Sequence, residues 1–560
     1  MARKSSSSSE RWSGSSTVGE DGPDPGRPSA TVGVDFGTST TVVAVRDGSG
    51  DPGILPIGAT TAEMPSVAGY SPRGRLLTGE RADRLPAART IRSVKRQISA
   101  RKDTVWVRRG DERVEVGVEE VVGTLLRETG ERAARHGVDL DAVGTLRLGC
   151  PAQWDAAQRR TLRTIAAGAG LGNASPELVD EPVAAGVGWV AAREAAGRPV
   201  EGRVLVFDYG GGTLDVAVLD VRDVDGRTAV SVLSAVGLHR AGDALDAAIV
   251  ADLADDWRRA GADLAAAPRP ETAQALAERA ARQAKIRLST VEAVPVRVGD
   301  DDWWLPEVVY TRARLEERFG PQLDEAMRVV DAAVRAADLR ESESAAPGGI
   351  GAVLLAGGLS QVPAVRRRFA ETFGDAEVTT DPAVTSPAYS VAHGLASSPD
   401  EHGLTLHRPG FDVVLEWVDA AGASHRHTLY RAQTPLYEWQ QVMAGHRRLG
   451  FEATTRDVPV RAEGPAAVRL VGLDGSDVPL RVGGQDRESL PVTVTSQRPM
   501  EMSLSLDGRL RLQGSDGRRQ VLRVGRWPAF RRGAPPVLEM EMLSADLDHV
   551  PAERSAAAGG

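Results

Sequence analysis

From Thr31 to about Ser398 the chain alternates short Val-rich runs, Gly-rich turns and Ala/Arg/Leu-rich stretches of helical spacing, which predicts an α/β architecture. Two apolar runs share one form. TVGVDFGTSTTVVAV at 31–45 and RVLVFDYGGGTLDVAVLDV at 203–221 each read as strand, tight glycine turn and strand. No long helical segment separates their apolar halves, so each is predicted as a β-hairpin, unlike the strand-turn-helix of a dinucleotide-binding unit. The recurrence of the form predicts two lobes of similar topology. Between and after the hairpins, Asp155 opens a helix that runs through Leu162 and stops at Gly168 and Gly170. The segment from Leu245 to Leu288 has helical spacing broken near Pro268 and Pro270.

After about residue 403 the helical period fades. VVLEWV, AAVRLVGL, PVTVTS and MSLSLDGRLRLQG alternate apolar and polar positions between Gly, Asp and Pro turns, as half-exposed antiparallel strands do. This predicts a linker at 399–412 and a β-sandwich-like module at 413–545, with a frayed tail at 546–560. Residues 1–30, almost all Ser, Gly, Pro and charge, have the composition of a disordered tail and lack the apolar core of a signal peptide.

Composition narrows the function classes. Aromatics make up 4% of the 560 residues, so the core is built from Val, Leu and Ala. Lys plus Arg number 68 against 77 Asp plus Glu, and the net charge of −9 comes without a large basic block, which argues against nucleic acid as a partner. The single cysteine, Cys150, cannot form an intramolecular disulfide, and no run approaches the roughly 18 apolar residues that span a bilayer. A cytoplasmic protein without a membrane partner is expected.

The turn Asp35-Phe36-Gly37-Thr38-Ser39-Thr40 offers consecutive backbone N–H groups and hydroxyls, and its glycine permits close approach of an anion, so it suits phosphate oxygens. Asp208-Tyr209-Gly210-Gly211-Gly212-Thr213 carries the same equipment. An Asp beside each turn would face phosphate unfavourably unless a divalent cation and its waters lay between them. Alone, either turn also reads as an ordinary Gly-rich hairpin; together they imply a Mg-nucleotide between two lobes. A third element, GAVLLAGGLSQVP at 351–363, reads as a strand running into Gly357 and Gly358 and then a helix N-capped by Ser360, where glycine would let backbone lie against a sugar or base.

These three segments resemble the phosphate-one, phosphate-two and adenosine motifs of the actin/hexokinase/heat-shock ATPase superfamily. Further phrases narrow the resemblance to the heat-shock protein 70 (DnaK-type) family: TIRSVKRQIS at 90–99, CPAQWDAAQRRTLRTIAAGAGL at 150–171, VDEPVAAGVGW at 179–189, RAGDALDAAIV at 240–250, RQAKIRLS at 282–289 and YTRARLEERF at 310–319. Their order is the family's, and the resemblance covers about residues 31–398. It implies a two-lobed actin-like ATPase domain, a duplicated ribonuclease H-like fold, that binds ATP or ADP with Mg2+. Carried over motif by motif, Asp35, Asp208, Glu181 and Asp215 would surround the Mg-nucleotide and the hydrolytic water, with Asp35 and Asp208 reaching the metal through water. Thr38 and Thr213 would contact phosphate, and Lys95 would stabilise charge during γ-phosphoryl transfer. Gly37, Ser39, Gly210, Gly211, Gly212, Gly242, Lys285, Ser289, Gly357, Gly358 and Ser360 complete the implied nucleotide contacts. Pro151 and Arg159 match a pair that relays nucleotide state to the neighbouring domain.

The sequence also departs from the family. Ile286 and Gln361 stand where the family has the two arginines that sandwich adenine; each such contact is worth roughly 0.5–2 kcal/mol, so weakened ATP binding with reduced base selectivity is expected. Arg287 would replace the lost stacking only if the local helix shifted. Cys150 reads as a small buried residue, His425 and His427 as exposed strand positions without a third metal ligand, and Asp300-Asp301-Asp302 before Trp303-Trp304 as a hairpin turn with one packed indole. In the resembled family a β-sandwich grips extended peptide beneath a helical lid. The C-terminal motifs match only loosely, and no lid-length helix is expected after about 545. The implied function is a lidless, ATP-hydrolysing chaperone, a monomer whose partners would be a polypeptide client or a specific protein, with a J-domain protein and an exchange factor. The alternatives are a nucleotide-regulated scaffold with little turnover and an actin-fold kinase or filament protein.

Overall fold

The computed structural model describes residues 30–545 except 49, 173–175, 225–226, 300–301, 342–348, 398–403, 406–407, 446–448, 459–462, 473–475, 479, 483–484, 496, 506–508 and 527–537. The two expected tails, and any lid after 545, lie outside the described residues. The first half of the fold is lobe I. Its central sheet contains β1 (Thr31–Phe36), β2 (Thr40–Arg46), β3 (Gly53–Leu55), β4 (Thr145–Cys150) and β5 (Glu177–Asp180), in the order β5-β4-β1-β2-β3. Lobe II repeats the plan with β6 (Gly202–Tyr209), β7 (Leu214–Val224), β8 (Arg227–Leu238), β9 (Ile350–Ala356) and β10 (Glu377–Thr379), in the order β10-β9-β6-β7-β8. In each lobe the first two strands form an antiparallel hairpin and the hairpin's first strand pairs in parallel with a later one, β4 or β9. The two-lobe expectation and both hairpins are borne out.

The Val-rich composition of these strands follows from burial on both faces. In β2, Val43 joins the lobe I core while its neighbours Val42 and Ala44 pack on Ala392 and Ala396. In β6, Leu205, Phe207 and Tyr209 enter one core, and Val204 and Val206 face another. The helices that fill these layers are α1 (Gly79–Asp83), α2 (Val94–Ser99), α3 (Val118–Ala134), α4 (Ala156–Gly168), α5 (Glu181–Ala195), α6 (Gly242–Arg259), α7 (Pro270–Leu288), α8 (Arg312–Glu341), α9 (Pro363–Thr372) and α10 (Ser390–Ala396). The predicted start of α4 holds: Asp155 caps it, accepting from Ala157 N and Gln158 N while Gln158 reaches back. The break near Pro268 and Pro270 separates α6 from α7, with Pro270 at the first turn of α7. α5 covers β6 and β7, α10 covers β1 and β2, and the two helices pack on each other, so the lobes meet through them.

The stretch read as linker contributes backbone to both neighbours. Leu404–Thr405 forms β11, which adds in parallel to the outer edge of β8, and the next strand opens at Phe411. Beyond it, β12 (Phe411–Val418), β13 (Ser424–Tyr430), β15 (Gly464–Gly472) and β18 (Leu490–Val494) form one antiparallel sheet. A second sheet contains β14 (Gly450–Thr454), β16 (Leu480–Val482), β17 (Gln485–Arg487), β19 (Glu501–Ser505), β20 (Arg509–Gln513), β21 (Arg519–Arg526) and β22 (Leu538–Ala545). Leu415, Leu470 and Val494 of the first sheet share an apolar cluster with Leu504 and Leu512 of the second. A short helix, α11 (Trp439–Met443), packs this module against α8.

Candidate active site

The two Asp-bearing turns close in the same way. Gly37 N donates to Thr40 O at 2.9 Å and Gly210 N to Thr213 O at 3.0 Å, so each turn keeps its remaining N–H groups and hydroxyls at the strand ends. The turns meet. A β-carbon on Gly211 would lie 2.1 Å from Ser39 Oγ, and one on Gly212 would lie 2.4 Å from Thr38 Oγ1, so only glycine permits this approach. Gly242 joins the same wall, with its N–H donating to Gly210 O at 3.2 Å, and Asp243 N donates to Gly211 O at 2.7 Å.

Beneath the turns lies a cluster of charge. Asp35 lies one residue before the end of β1, Asp208 lies near the end of β6 directly across the ladder from Asp215 of β7, and Glu181 is the first residue of α5, placed there by Pro182 in the helix's first turn. Lys95, on the short helix α2, donates to Glu181; it is 3% exposed and lies 5.9 Å over the Trp154 ring. Lys95 is therefore not a solvated helix lysine. Burial pushes the carboxyl of Asp35 up to about 7, with the Glu181 charge adding and Lys95 opposing. Asp215 is likewise pushed up to about 7 by burial and then by Glu181, against the Thr213 hydroxyl and the Ala152 N–H that donate to it. Asp208 stands well above the carboxylate range, first through burial and then through Glu181, Asp215 and Asp35. Burial disfavours the ammonium of Lys95, but Glu181 and Asp35 outweigh it and raise its pKa.

Four carboxylates against one lysine leave an excess of negative charge that a divalent cation would relieve. Among the described residues no three His, Cys, Asp or Glu side chains converge as a metal cage. A hydrated divalent cation that bridges to phosphate, with Asp35 and Asp208 as outer partners, would suit this excess of carboxylates. The donor set fits a Mg-nucleotide.

The third predicted element closes the crevice from lobe II. Gly357, at φ 75°, sits so close to the end of β6 that a β-carbon would lie 2.4 Å from Asp208 Oδ1. A β-carbon on Gly358 would meet nothing within 4 Å, leaving that backbone open. Ser360 is not an N-cap. It lies inside a 3-10 turn, Gly358–Gln361, because Pro363 fixes the start of α9 and Val362 takes the cap position. Its hydroxyl is buried without a hydrogen-bond partner among the described residues. Lys285 Nζ donates to Gly242 O at 3.0 Å and pairs with Asp246 at 2.7 Å, so α7 is tied to the second turn. Ser289 caps the C-terminus of α7 one turn on, its Oγ 3.5 Å from Lys285 O. Ile286, beside Lys285, is 62% exposed.

Several participants were not foreseen. Ser93, in a left-handed conformation at φ 52° ahead of α2, donates across the lobes to Asp243, which also lies 3.7 Å from Arg96 and 3.6 Å from Arg282. Arg279 of α7 donates to Asp83 O of lobe I. Arg159, which the sequence already pairs with Pro151, donates to Trp154 O at 2.9 Å, to Pro151 O at 3.4 Å and to Asp180, the residue before Glu181. Arg408, 3% exposed, arrives from the linker, donates to the same Trp154 O at 2.9 Å and lies 4.0 Å from Asp180. Nothing in an isolated Arg of a Pro/Gly-flanked segment signals such burial.

Other expectations resolve as structure. Burial pushes the Cys150 thiol up to about 12, which leaves it inert. Of the paired indoles, Trp303 packs against the core and Trp304 is 63% exposed, while Asp300 and Asp301 lie outside the described residues. The exposed reading of His425 and His427 needs correction: both are half-buried, and His425 stacks on Trp417 and bonds Asp419 at 2.7 Å, because the β12–β13 hairpin sets them side by side. No helix among the described residues is long and apolar enough to cross a membrane.

Comparison with known proteins agrees with this geometry. The chain is 31% identical over 366 residues to "Chaperone protein DnaK" of Cenarchaeum symbiosum, an alignment covering 63% of this chain and 52% of that protein. It is 30% identical over 391 residues to the Thermotoga petrophila protein of the same name, covering 66% and 60% respectively. The chain thus spans about half to three-fifths of the length of these curated relatives. The family described as "Hsp70 protein" matches residues 31–406, the two lobes and β11, and the chain belongs to the heat-shock protein 70 family.

Proposed function

We propose that this chain is an ATP-hydrolysing chaperone that couples nucleotide state in the crevice to polypeptide binding by its C-terminal β module. The observation that carries the reading is the meeting of Thr38 and Ser39 with Gly211 and Gly212 directly above Asp35, Lys95, Glu181, Asp208 and Asp215. The N–H groups and hydroxyls of the two turns bind phosphate oxygens from both sides, and Lys285 and Ser289 face the sugar. A bound Mg2+, held through water by Asp35 and Asp208, would supply charge neutralisation on the phosphates. Asp208, Asp215 and Glu181 orient the attacking water, Thr213 fixes Asp215 through its hydroxyl, and Lys95 stays protonated to meet charge developing on the transferred group. Burial of Lys95, Glu181, Asp208 and Asp215 limits the access of bulk water to these charges.

Single-turnover hydrolysis tests the reading. Lys95→Ala should lose about 100- to 1000-fold in rate, the cost of removing one preorganised stabiliser of transition-state charge. An unchanged rate would remove Lys95 from catalysis. A second reading, a nucleotide-controlled scaffold with little turnover, draws on Ile286, an exposed aliphatic side chain next to Lys285 at the position where the resembled family has a base-stacking arginine. Calorimetric ATP binding without hydrolysis would favour it. A polypeptide client, a J-domain protein and an exchange factor belong to the same proposal, as does a cytoplasmic setting.

A further inference from the structure

We propose that lobe I carries a second ligand site, outside the nucleotide crevice, that binds a phosphate monoester. A hollow of about 380 Å³ opens between the loop at 56–59, helix α1 with Arg84 after it, and the C-terminal turn of α3. Its floor is built and fully paired. Arg132, 8% exposed, donates to Ile57 O at 2.8 Å and to Glu128 at 2.7 Å, and pairs with Glu80 at 2.9 Å, while Ala59 N also donates to Glu80 at 2.7 Å. These bonds lock the loop, α1 and α3 into one rigid cup and turn both glutamates toward Arg132.

The rim has the opposite character. Arg81, Arg84, Arg135 and His136 line it. Arg84 makes no ion pair or side-chain hydrogen bond among the described residues, and Arg81 and Arg135 each reach Glu128 only at 3.7 Å. Four arginines against two glutamates leave an excess of two positive charges with His136 neutral, in a chain whose net charge is −9. A guanidinium presents a planar fork of donors that matches phosphate oxygens in pairs, and several such forks around one concavity suit a compact dianion better than a single carboxylate. The hollow has room for a small organic group beyond the phosphate. The shared chemistry is a phosphate monoester, free or on a phosphorylated side chain of a polypeptide.

The proposal does not depend on the nucleotide reading. The test is calorimetric titration of the full chain with glycerol 3-phosphate and, separately, with a short phosphoserine peptide. Saturable binding should weaken at least about tenfold in Arg84→Ala/Arg135→Ala, whose exposed side chains leave the fold intact. Binding should persist in Gly212→Val, where the added side chain blocks the crevice. Tighter binding of the peptide would identify a polypeptide source, and equal or tighter binding of glycerol 3-phosphate a small-molecule one. No saturation by about 10 mM, an affinity unmoved by the double arginine variant, or a loss confined to Gly212→Val would overturn the proposal.

Discussion

The crevice and the C-terminal module bury opposite materials. In the crevice Asp35, Lys95, Glu181, Asp208 and Asp215 are held together at a cost in repulsion and desolvation, visible in carboxyls displaced toward neutrality. The module is organised by aliphatic side chains such as Val413, Leu415, Leu470, Leu504 and Leu512. Where charge is buried, each residue is fixed by the charges and donors around it, and few side chains could stand in its place. Where only hydrocarbon is buried, alternation and volume suffice, and many sequences satisfy them.

The sharpest way to probe this contrast is pH. The folded-state values of Asp35 and Asp215, about 7 against 3.8 unfolded, mean that the native protein holds more protons than the unfolded chain between about pH 4 and 7. The stability these groups contribute is complete below about pH 4 and is lost as pH rises through 7, a change of order 4 kcal/mol for each group taken alone. Denaturant unfolding of the ligand-free protein at pH 5 and pH 8 should reveal that fall, and Mg2+ with ATP should reduce it. A pH-independent midpoint would mean that the carboxylates are not packed as described.

The module should answer to volume instead. Leu415→Ala removes a fully buried side chain and should cost about 2–5 kcal/mol while leaving hydrolysis per folded molecule unchanged. If turnover falls with it, the two regions cannot be treated separately. Arg408 is where the contrast should break. Arg408→Ala leaves Trp154 O with one donor fewer and Asp180 with one cation fewer, at roughly 1–3 kcal/mol, and should also shift the hydrolysis rate because Asp180 immediately precedes Glu181. A change in stability alone would make Arg408 a packing residue.

These differences also set how much could be read before the fold was seen. Asp35 and Asp208 were legible because a strand, a glycine turn and hydroxyls together leave few other uses for a carboxylate. Lys95 was legible only through resemblance, since SVKRQIS taken alone describes an ordinary surface helix. Ser360 was misplaced because the serine matched a cap preference and the proline three residues on outweighed it. Asp243 and Arg408 escaped because their partners lie 150 and 254 residues away in sequence, and nothing local distinguishes them from other surface charges. The module's strands were visible as alternation, but their order in two sheets was not, since alternation fixes faces and leaves neighbours open.

The two-residue strand Leu404–Thr405 has one more consequence. By lying along β8 it occupies hydrogen-bonding groups at Ser231 and Val232 that would otherwise border lobe II as a bare margin. Lobes cut free of everything after Ala396 would present that margin to any passing extended chain, including another copy of themselves, so truncation should yield a stickier protein rather than merely a smaller one.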